Sequence, residues 1–490
     1  MRSNVLLVLP IREGNNYQIA PDLGLLYLGT ALRKQGYRVT ILDCPKENLS
    51  FSGFRDFVRE GGFEVVGFRC YSRDHNYVRY HSDLVKTIDP GILTLTGGPQ
   101  PSALPEFVLN SMPGMDFAWN GEAEEGLPRL LTLFEDYGRE IPETLLDRIP
   151  GLVWRNSAEE RVVCNPTAFS PDLDRYGIPG WDMVRPDTYP GFIWDEYYPL
   201  VTTRGCPFPC TYCNAPNLSG KKLRHRSPEH VVEELRLLKK EYGISRFSVL
   251  DDEFTLNKKY VTSLCEALIE AGLGLQWDCP NGVRIDSLYP EMLQLMEQAG
   301  CESLAVGIES GTSRIQKLID KRVTVEKIRE KADMIAGCSG IKLIGYFMIG
   351  FLDETEEEIQ ETLKFACSLP LKRANFNVVI PIPGTRIFSD LLEQGLLKLD
   401  DINWDTLTSD QIAFKRNHVS GKRLLELQRR AYLKFYGRPK IARQLVGASL
   451  KDREVILSSL RKLRMLSWRK ETYTFEPMYL REKALVGDRA

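Results

Sequence analysis

The chain has 490 residues, a formal net charge of −2, and 43% hydrophobic and 27% charged residues. The length predicts two or three domains of ordinary soluble composition, and the nearly balanced charge argues against nucleic acid as a partner. The apolar start, which ends at Pro10, is too short for a signal peptide, and the longest apolar run, residues 343–352, is too short to span a bilayer. We therefore expect a cytoplasmic protein without a transmembrane segment. Its 11 cysteines are odd in number, which in a reducing compartment indicates a metal site and not a disulfide framework.

Five apolar runs alternate with amphipathic segments over residues 4–137. This alternation predicts an α/β domain with a parallel sheet that helices cover on both faces. The predicted strands are 4–9, 38–43, 64–70, 92–96 and 116–119, and the predicted helices lie near 22–35, 50–61, 77–88, 103–111 and 124–137. Ligands of such sheets bind at the carboxyl ends of the strands, so the turns that follow the strands are candidate binding loops.

A second alternating region begins at Tyr198, after a hairpin at 151–165 and a connector rich in Pro, Gly and aromatic residues. Its predicted strands are 198–203, 246–251, 276–279, 303–309, 342–350 and 374–381. Six strand–helix units predict an incomplete (β/α) barrel of the TIM type, whose active site would lie at the carboxyl ends of the strands. The predicted organisation is a first domain at 1–140, a connector at 141–195, a barrel at 196–395 and a helical region at 396–490.

Three cysteines, Cys206, Cys210 and Cys213, stand within eight residues in the loop after the first barrel strand. Three thiolates in a loop shaped by Gly and Pro are typical ligands of an iron–sulfur cluster. Because a cubane has four irons, three local ligands leave one iron open to bind a substrate, whereas an electron-carrying cluster has all four irons ligated. A zinc site is the alternative, and it would need a fourth ligand, for which His225 is the only close candidate.

The spacing C-x-x-x-C-x-x-C, with an aromatic residue before the last cysteine, resembles the radical S-adenosylmethionine superfamily. In that superfamily the open iron binds S-adenosylmethionine, and one electron from the cluster releases a 5′-deoxyadenosyl radical. Further segments at the predicted strand ends match the superfamily's motifs, although each one alone is a common turn or helix cap: 251–255, 281–284, 307–311, 348–351 and 381–385. The resemblance therefore implies a [4Fe–4S] cluster on the three cysteines and S-adenosyl-L-methionine as a second cofactor. The implied S-adenosylmethionine contacts are Tyr212, Asp252, Glu253, Arg284, Gly307, Glu309, Ser310 and Gly350.

The first domain resembles the flavodoxin-like (Rossmann-like) cobalamin-binding domain that precedes the barrel in one large class of these enzymes. The resemblance rests on residues 21–28, on the turn Gly97-Gly98-Pro99 and on residues 121–125. It implies cobalamin as a cofactor, with contacts from Asp43, Ser72, Gly97, Gly98, Gly121 and Glu122. A flavodoxin-like domain for a nucleotide or flavin is the alternative, although the fingerprint G-x-G-x-x-G is absent.

One departure from the cobalamin pattern concerns the group below cobalt. Many cobalamin proteins place a cobalt-ligating histidine in a turn that here reads Asp43-Cys44-Pro45, without histidine. His75, which follows the third predicted strand, is the one candidate nearby, although a lone histidine in a loop is more often a surface or hydrogen-bonded residue.

Together, the two resemblances imply an enzyme that methylates an unactivated carbon, with one S-adenosylmethionine supplying the radical and another remethylating cobalamin. Tetrapyrrole cyclases and ring-contracting enzymes share this architecture, so cyclisation or rearrangement stays open, and a non-catalytic cobalamin or redox sensor is the alternative from another class. The expected partners are a small-molecule or lipid substrate and an external one-electron reductant of the flavodoxin or ferredoxin type. Basic residues dominate between Lys415 and Lys470, which is typical of a solvated helical face but also allows contact with an anionic substrate, a membrane surface or nucleic acid.

Overall fold

The structure, a computed structural model, describes residues 2–11, 18–156, 159–189, 191–192, 198–407, 412–439 and 441. Most of these residues belong to two sheets flanked by helices. The helices predicted after residue 441, with the second half of the basic stretch, lie outside the described residues. Among the helices that are described, none has the length and apolar character needed to cross a membrane.

The strands of the described residues are, in chain order, β1 (Asn4–Leu9), β2 (Gln18–Ile19), β3 (Arg38–Asp43), β4 (Val65–Arg69), β5 (Leu93–Gly97), β6 (Phe117–Trp119), β7 (Leu152–Asn156), β8 (Arg161–Cys164), β9 (Gly191–Phe192), β10 (Tyr198–Leu200), β11 (Thr203–Arg204), β12 (Arg224–His225), β13 (Arg246–Val249), β14 (Gln276–Val283), β15 (Cys301–Glu309), β16 (Lys342–Ile349) and β17 (Arg373–Val378).

The α-helices of the described residues are, in chain order, α1 (Leu23–Lys34), α2 (Cys44–Glu47), α3 (Phe51–Gly61), α4 (His75–Ile88), α5 (Pro99–Ala103), α6 (Pro105–Ser111), α7 (Gly126–Tyr137), α8 (Glu143–Leu146), α9 (Ala215–Ser219), α10 (Pro228–Tyr242), α11 (Lys258–Ala271), α12 (Pro290–Gln298), α13 (Ser313–Leu318), α14 (Val325–Cys338), α15 (Glu356–Ser368), α16 (Arg386–Glu393) and α17 (Gly421–Tyr436).

The first sheet has the strand order β3-β1-β4-β5-β6-β7-β8. Its first five strands are parallel and follow the flavodoxin-like order, in which a ligand crevice opens where the order reverses, here between β1 and β4. Alternate residues of β1 enter two separate cores, Leu6 and Val8 on one face and Val5 and Leu7 on the other. Burial on both faces explains the continuous apolar run and confirms the predicted, doubly covered parallel sheet. The predicted hairpin adds β7 and β8 as antiparallel strands at one edge.

The second sheet has six parallel strands in sequential order, β10-β13-β14-β15-β16-β17. Helices connect successive strands, so the sheet is the predicted incomplete (β/α) barrel. Local hydrogen bonds fix the starts of two of these helices: Ser227 caps α10, and Thr355 and Glu358 form a capping box at α15.

A small hairpin at the mouth of the barrel is absent from the sequence prediction. Strands β11 and β12 are two residues each and pair antiparallel, which is too short for any periodic signal. They bring together the two ends of the segment 205–223, which contains all three clustered cysteines. The hairpin therefore sets where that segment leaves and re-enters the barrel.

The last described helix, α17, protects the edge of the barrel sheet. Its buried residues include Leu424, Leu427 and Phe435, which pack in the core of the barrel. The hydroxyls of Tyr432 and Tyr436 accept hydrogen bonds from backbone N–H groups of β17, at 3.1 and 3.3 Å. These bonds satisfy backbone groups that an open edge strand would leave exposed.

Candidate active site

The three clustered cysteines lie in the loop between β11 and α9, at the carboxyl end of β10. The backbone N–H of Cys206 donates to the carbonyl of Gly220 at 3.0 Å, which closes the base of the loop. Gly205 has a φ of 97°, and a side chain there would overlap the carbonyl oxygen of Lys222. Only glycine fits this entry into the loop, so the Gly-Cys pair is a local requirement of the turn.

The thiols share a largely buried pocket. Cys206 is buried, and Cys210 and Cys213 are half-buried. Burial raises the pKa of Cys206 to about 12 and that of Cys213 to about 11. Burial also raises the pKa of Cys210, against the opposing charges of Lys321 and Arg284. Three thiols with two cations nearby form a donor set that suits an anionic iron–sulfur cluster.

A single-metal site is less well matched by this geometry. The residues that the structure describes contain no group of three or more His, Cys, Asp or Glu side chains placed to hold one metal ion, whereas in a cubane each thiolate binds a different iron. His225, the candidate fourth zinc ligand, packs on the ring of Tyr260 with 4.5 Å between centroids. Its Nε2 atom is 3.5 Å from the side-chain amide of Asn257.

Tyr212 and Glu309 meet beside the cysteines, together with a lysine that the sequence analysis missed. The hydroxyl of Tyr212 donates to Glu309 Oε1 at 2.8 Å, and Lys321 Nζ donates to the same oxygen at 2.7 Å. Lys321 Nζ also lies 3.1 Å from the Tyr212 hydroxyl. Glu309 has a φ of 63° at the irregular end of β15, a strained conformation that is typical of functional sites. No motif marks Lys321, because its loop position after α13 depends on the tertiary fold.

Arg284 and Asp252 are both placed to brace the cysteine loop. The guanidinium of Arg284 lies 3.8 Å from the ring centroid of Phe208, which stands between Cys206 and Cys210. It also pairs with Asp286 through two N–H groups. The carboxylate of Asp252 accepts hydrogen bonds from the backbone of Gly205 and the side chain of Ser219, at the two ends of the loop.

The other predicted S-adenosylmethionine contacts are spread along the carboxyl ends of the barrel strands. Glu253 is buried and accepts hydrogen bonds from the backbone and hydroxyl of Thr255 at 3.0 Å each. Gly307 lies against the Glu309–Lys321 pair, and a side chain there would meet both partners. The hydroxyl of Ser310 points away from this group and contacts Thr312 and Thr362. Gly350, which follows β16, lies against the side chains of Arg416 and of Leu424 in α17.

The carboxyl edge of the first sheet holds the predicted cobalamin contacts Asp43, Ser72, Gly97 and Gly98. Asp43 caps α2 and is hydrogen-bonded to Tyr189 of the connector. Ser72 starts a short 3-10 turn after β4, and Gly97 and Gly98 join β5 to α5. Two residues after Gly98, Gln100 is fully buried, yet neither its amide nitrogen nor its amide oxygen has a hydrogen-bond partner among the described residues. Unpaired polar atoms at the carboxyl edge of the sheet are groups that a polar cofactor would satisfy, so this edge fits a corrin with amide side chains.

His75 does not present a free ring at this edge. The side chain is buried between Phe107 and Trp404, with ring centroids 5.2 and 5.3 Å away. Its Nε2 atom is 3.2 Å from the hydroxyl of Ser111. Burial lowers the pKa of His75 to about 4, so the ring is neutral near pH 7.

Gly121 and Glu122 follow β6, at the far end of the same edge. The N–H of Gly121 donates to the hydroxyl of Ser102 at 3.0 Å. Glu122 faces the barrel, where both of its oxygens accept hydrogen bonds from Arg224 at 2.7 and 2.9 Å. Its predicted contact with cobalamin stays a prediction, and its ion pairs are a contact that the sequence analysis missed.

The two sets of candidate loops lie against each other. Helix α5, which begins after Gly98, packs on α9, which begins two residues after Cys213. Ala103 of α5 and Asn214 of the cysteine loop both lie at Gly384, in the loop that follows β17. The carboxyl edges of the two sheets therefore meet at one boundary.

Comparison with protein-family models finds one match in each of the two regions that contain a sheet. Residues 14–131 match the model of the B12 binding domain, and residues 200–366 match that of the radical SAM superfamily.

Three curated relatives share most of the chain. An uncharacterized methyltransferase of Pyrococcus horikoshii, PH0819, is 31% identical over 89% of this chain and 93% of its own length. The cytidylyl-2-hydroxyethylphosphonate methyltransferase of Streptomyces wedmorensis is 27% identical over 76% of this chain and 78% of its own. The anaerobic magnesium-protoporphyrin IX monomethyl ester cyclase of Rubrivivax gelatinosus is 26% identical over 79% of this chain and 70% of its own.

Among solved structures, the fold is similar to that of the cobalamin-dependent S-adenosylmethionine radical enzyme OxsB with aqua-cobalamin and S-adenosylmethionine bound. The TM-score is 0.74 at 17% sequence identity, over 99% of this chain and 80% of that one. At this identity the likeness shows a shared fold.

Proposed function

Because the chain belongs to the class of radical S-adenosylmethionine enzymes that carry a B12-binding domain ahead of the barrel, we propose that it transfers a methyl group to an unactivated carbon. The family is shown by the Pyrococcus horikoshii relative, which is 31% identical over 89% of this chain. The substrate that we propose is a small molecule or a lipid, because the chain's net charge of −2 gives no overall positive field that would attract nucleic acid.

The residues that would hold the cofactors follow from the site. Cys206, Cys210 and Cys213 would bind three irons of a [4Fe–4S] cluster, whose open iron takes S-adenosylmethionine. Tyr212, Glu309 and Lys321 would face S-adenosylmethionine. When bound, the cluster would supply one electron, S-adenosylmethionine would supply a primary radical, and cobalamin would carry the methyl group. The protein's part is to hold these groups close together and to exclude water.

The observation that carries the proposal is the contact between the two candidate loops. The Gly97–Gly98 turn leads into α5, and α5 packs on the helix that follows the cysteines. A methyl transfer that uses both cofactors needs them to face one substrate, and each sheet binds its ligand at the edge where the loops meet. A domain arrangement with separated edges would not support this reaction.

Cyclisation is a second candidate, which the 26% identity to a tetrapyrrole cyclase favours. A non-catalytic sensor is the third, and it predicts bound cobalamin without cleavage of S-adenosylmethionine. The three differ in their products, so a product assay separates them.

The assay uses protein purified and reconstituted without oxygen, with added cobalamin and dithionite as the reductant. Methyl transfer predicts both 5′-deoxyadenosine and S-adenosylhomocysteine by mass spectrometry, and neither product from a Cys213→Ala variant. Release of 5′-deoxyadenosine without any S-adenosylhomocysteine would contradict methyl transfer and favour the cyclase. Corrin absorption bands with neither product would favour the sensor.

A further inference from the structure

Four charged side chains, those of Glu124 and Arg224 buried and those of Glu122 and Arg204 largely so, form a cluster at the boundary between the first domain and the barrel. Glu122 and Glu124 come from the turn after β6, and Arg204 and Arg224 come from β11 and β12. We call these four residues the interdomain clamp. Their side chains are between 3% and 14% exposed, so each charge depends on its partners and not on water.

The two arginines need the two carboxylates for a local reason. Arg204 and Arg224 stand directly opposite each other in the antiparallel hairpin, and like charges at opposed positions destabilise a strand pair. Glu122 accepts hydrogen bonds from two N–H groups of Arg224, at 2.7 and 2.9 Å. This bidentate geometry makes such ion pairs strong. Arg204 Nη1 lies 2.7 Å from Glu124 and 3.2 Å from Glu122. The first domain therefore supplies two of the carboxylates that neutralise the hairpin, and Asp252 of the barrel also lies near both arginines.

The clamp connects directly to the cysteine loop. Arg204 is separated from Cys206 only by Gly205. Arg224 also donates to the carbonyl of Ser219 at 2.7 Å, next to Gly220, whose carbonyl accepts the N–H of Cys206. Both ends of the loop are thus tied to arginines that the first domain holds.

We propose that Glu122 and Glu124 are positioning residues, which fix the cysteine loop against the first domain by holding Arg204 and Arg224. The inference rests on the proposed function, since it takes the three cysteines as cluster ligands. It also gives Glu122 a role other than a cobalamin contact, because both of its oxygens are engaged by the barrel.

The test compares E122Q and E124Q with E135Q in the full-length protein. Glu135 is a matched control, because it forms an ion pair with Arg2 and accepts hydrogen bonds from Ser3, both within the first domain. Three properties are measured on reconstituted protein: the rate at which a chelator removes iron, the electron paramagnetic resonance spectrum of the reduced cluster with S-adenosylmethionine, and the affinity for hydroxocobalamin. We expect E122Q and E124Q to release iron about tenfold faster than wild type, as is typical when a group that orients metal ligands is lost. Their spectra should change, while their cobalamin affinity and all properties of E135Q stay at wild-type values.

The double variant E122Q/R224Q keeps the test decisive if E122Q does not fold, since it removes the arginine that E122Q would leave without its bidentate partner, while Arg204 keeps Glu124 at 2.7 Å. Fast iron release from the folded double variant supports the clamp. Wild-type iron release and spectra in E122Q, or in the folded double variant, would overturn it. Weaker cobalamin binding with unchanged iron release would overturn it as well, and would indicate that Glu122 contacts cobalamin. If wild-type protein takes up no cluster, the proposed function itself fails, before any variant is compared.

Discussion

Replacement of Lys321 by methionine tests whether the buried pair with Glu309 organises the site. The Nζ–Oε1 distance is 2.7 Å, and each side chain is only 8% exposed. Removing one partner of such a pair leaves a buried charge and costs about 3–5 kcal/mol. For a barrel of this size, that loss lowers the melting temperature by roughly 6–20 °C. Among the described residues, the Tyr212 hydroxyl would be left as the one donor to Glu309 Oε1, so we also expect weaker binding of S-adenosylmethionine.

Lys331→Met is the matched control for this prediction. Lys331 is as buried as Lys321, but its ammonium donates to a backbone carbonyl, that of Leu288, at 2.6 Å. Losing that one bond costs about 1–3 kcal/mol, and it lies outside the cysteine site. Calorimetry on the apoprotein measures the melting temperatures, and titration of reconstituted protein measures the affinity for S-adenosylmethionine. If K321M melts no lower than K331M and binds S-adenosylmethionine as wild type does, the pair does not organise the site.

Three further predictions use the same preparations. Cys213→Ala should abolish reconstitution of the cluster, measured as iron per chain, while Cys265→Ala, in the core of the barrel, should leave it unchanged. Burial raises the pKa of Glu354 to about 7, above its ordinary value, so its proton is held more tightly in the folded state. Its contribution to stability is therefore present at low pH and is lost as the pH rises through 7. In urea titrations between pH 5 and 8, the free energy of unfolding of wild type should fall relative to that of E354Q. The same dependence on pH in both proteins would contradict this. Gly350→Ala should destabilise the protein by about 1–3 kcal/mol, because φ is 85° and the methyl group would overlap neighbouring side chains. Its control is Gly337→Ala, on the open face of α14, which should be neutral or stabilising.

The sequence is most informative where one physical pattern decides the structure. The strands of the first sheet are buried on both faces, so residues 4–9 are apolar without interruption, and that strand is predicted to the residue. The function of the three clustered cysteines is also predictable, because their spacing is typical of ligands that share one iron–sulfur cluster. The helix caps at Ser227 and Thr355 are local hydrogen bonds, which require no knowledge of the tertiary fold.

The residues that escaped prediction all depend on contacts between distant segments. Lys321 is 12 residues from Glu309 in the sequence and 109 from Tyr212, and nothing local distinguishes it from a surface lysine. The ion pair of Glu122 with Arg224 spans 102 residues and crosses between the sheets. Sequence motifs indicated that Glu122 mattered, but the direction of its side chain follows only from how the two sheets meet.

The most direct test of the central claim is to count the cofactors in one preparation. Protein reconstituted without oxygen with iron, sulfide and cobalamin is desalted, analysed for metals, and examined by electron paramagnetic resonance after reduction. We expect about four irons and one corrin per chain, with the cluster spectrum changed by S-adenosylmethionine and absent from a variant that lacks Cys206. A chain that holds the cluster but no corrin, or one whose cluster spectrum does not respond to S-adenosylmethionine, would contradict it.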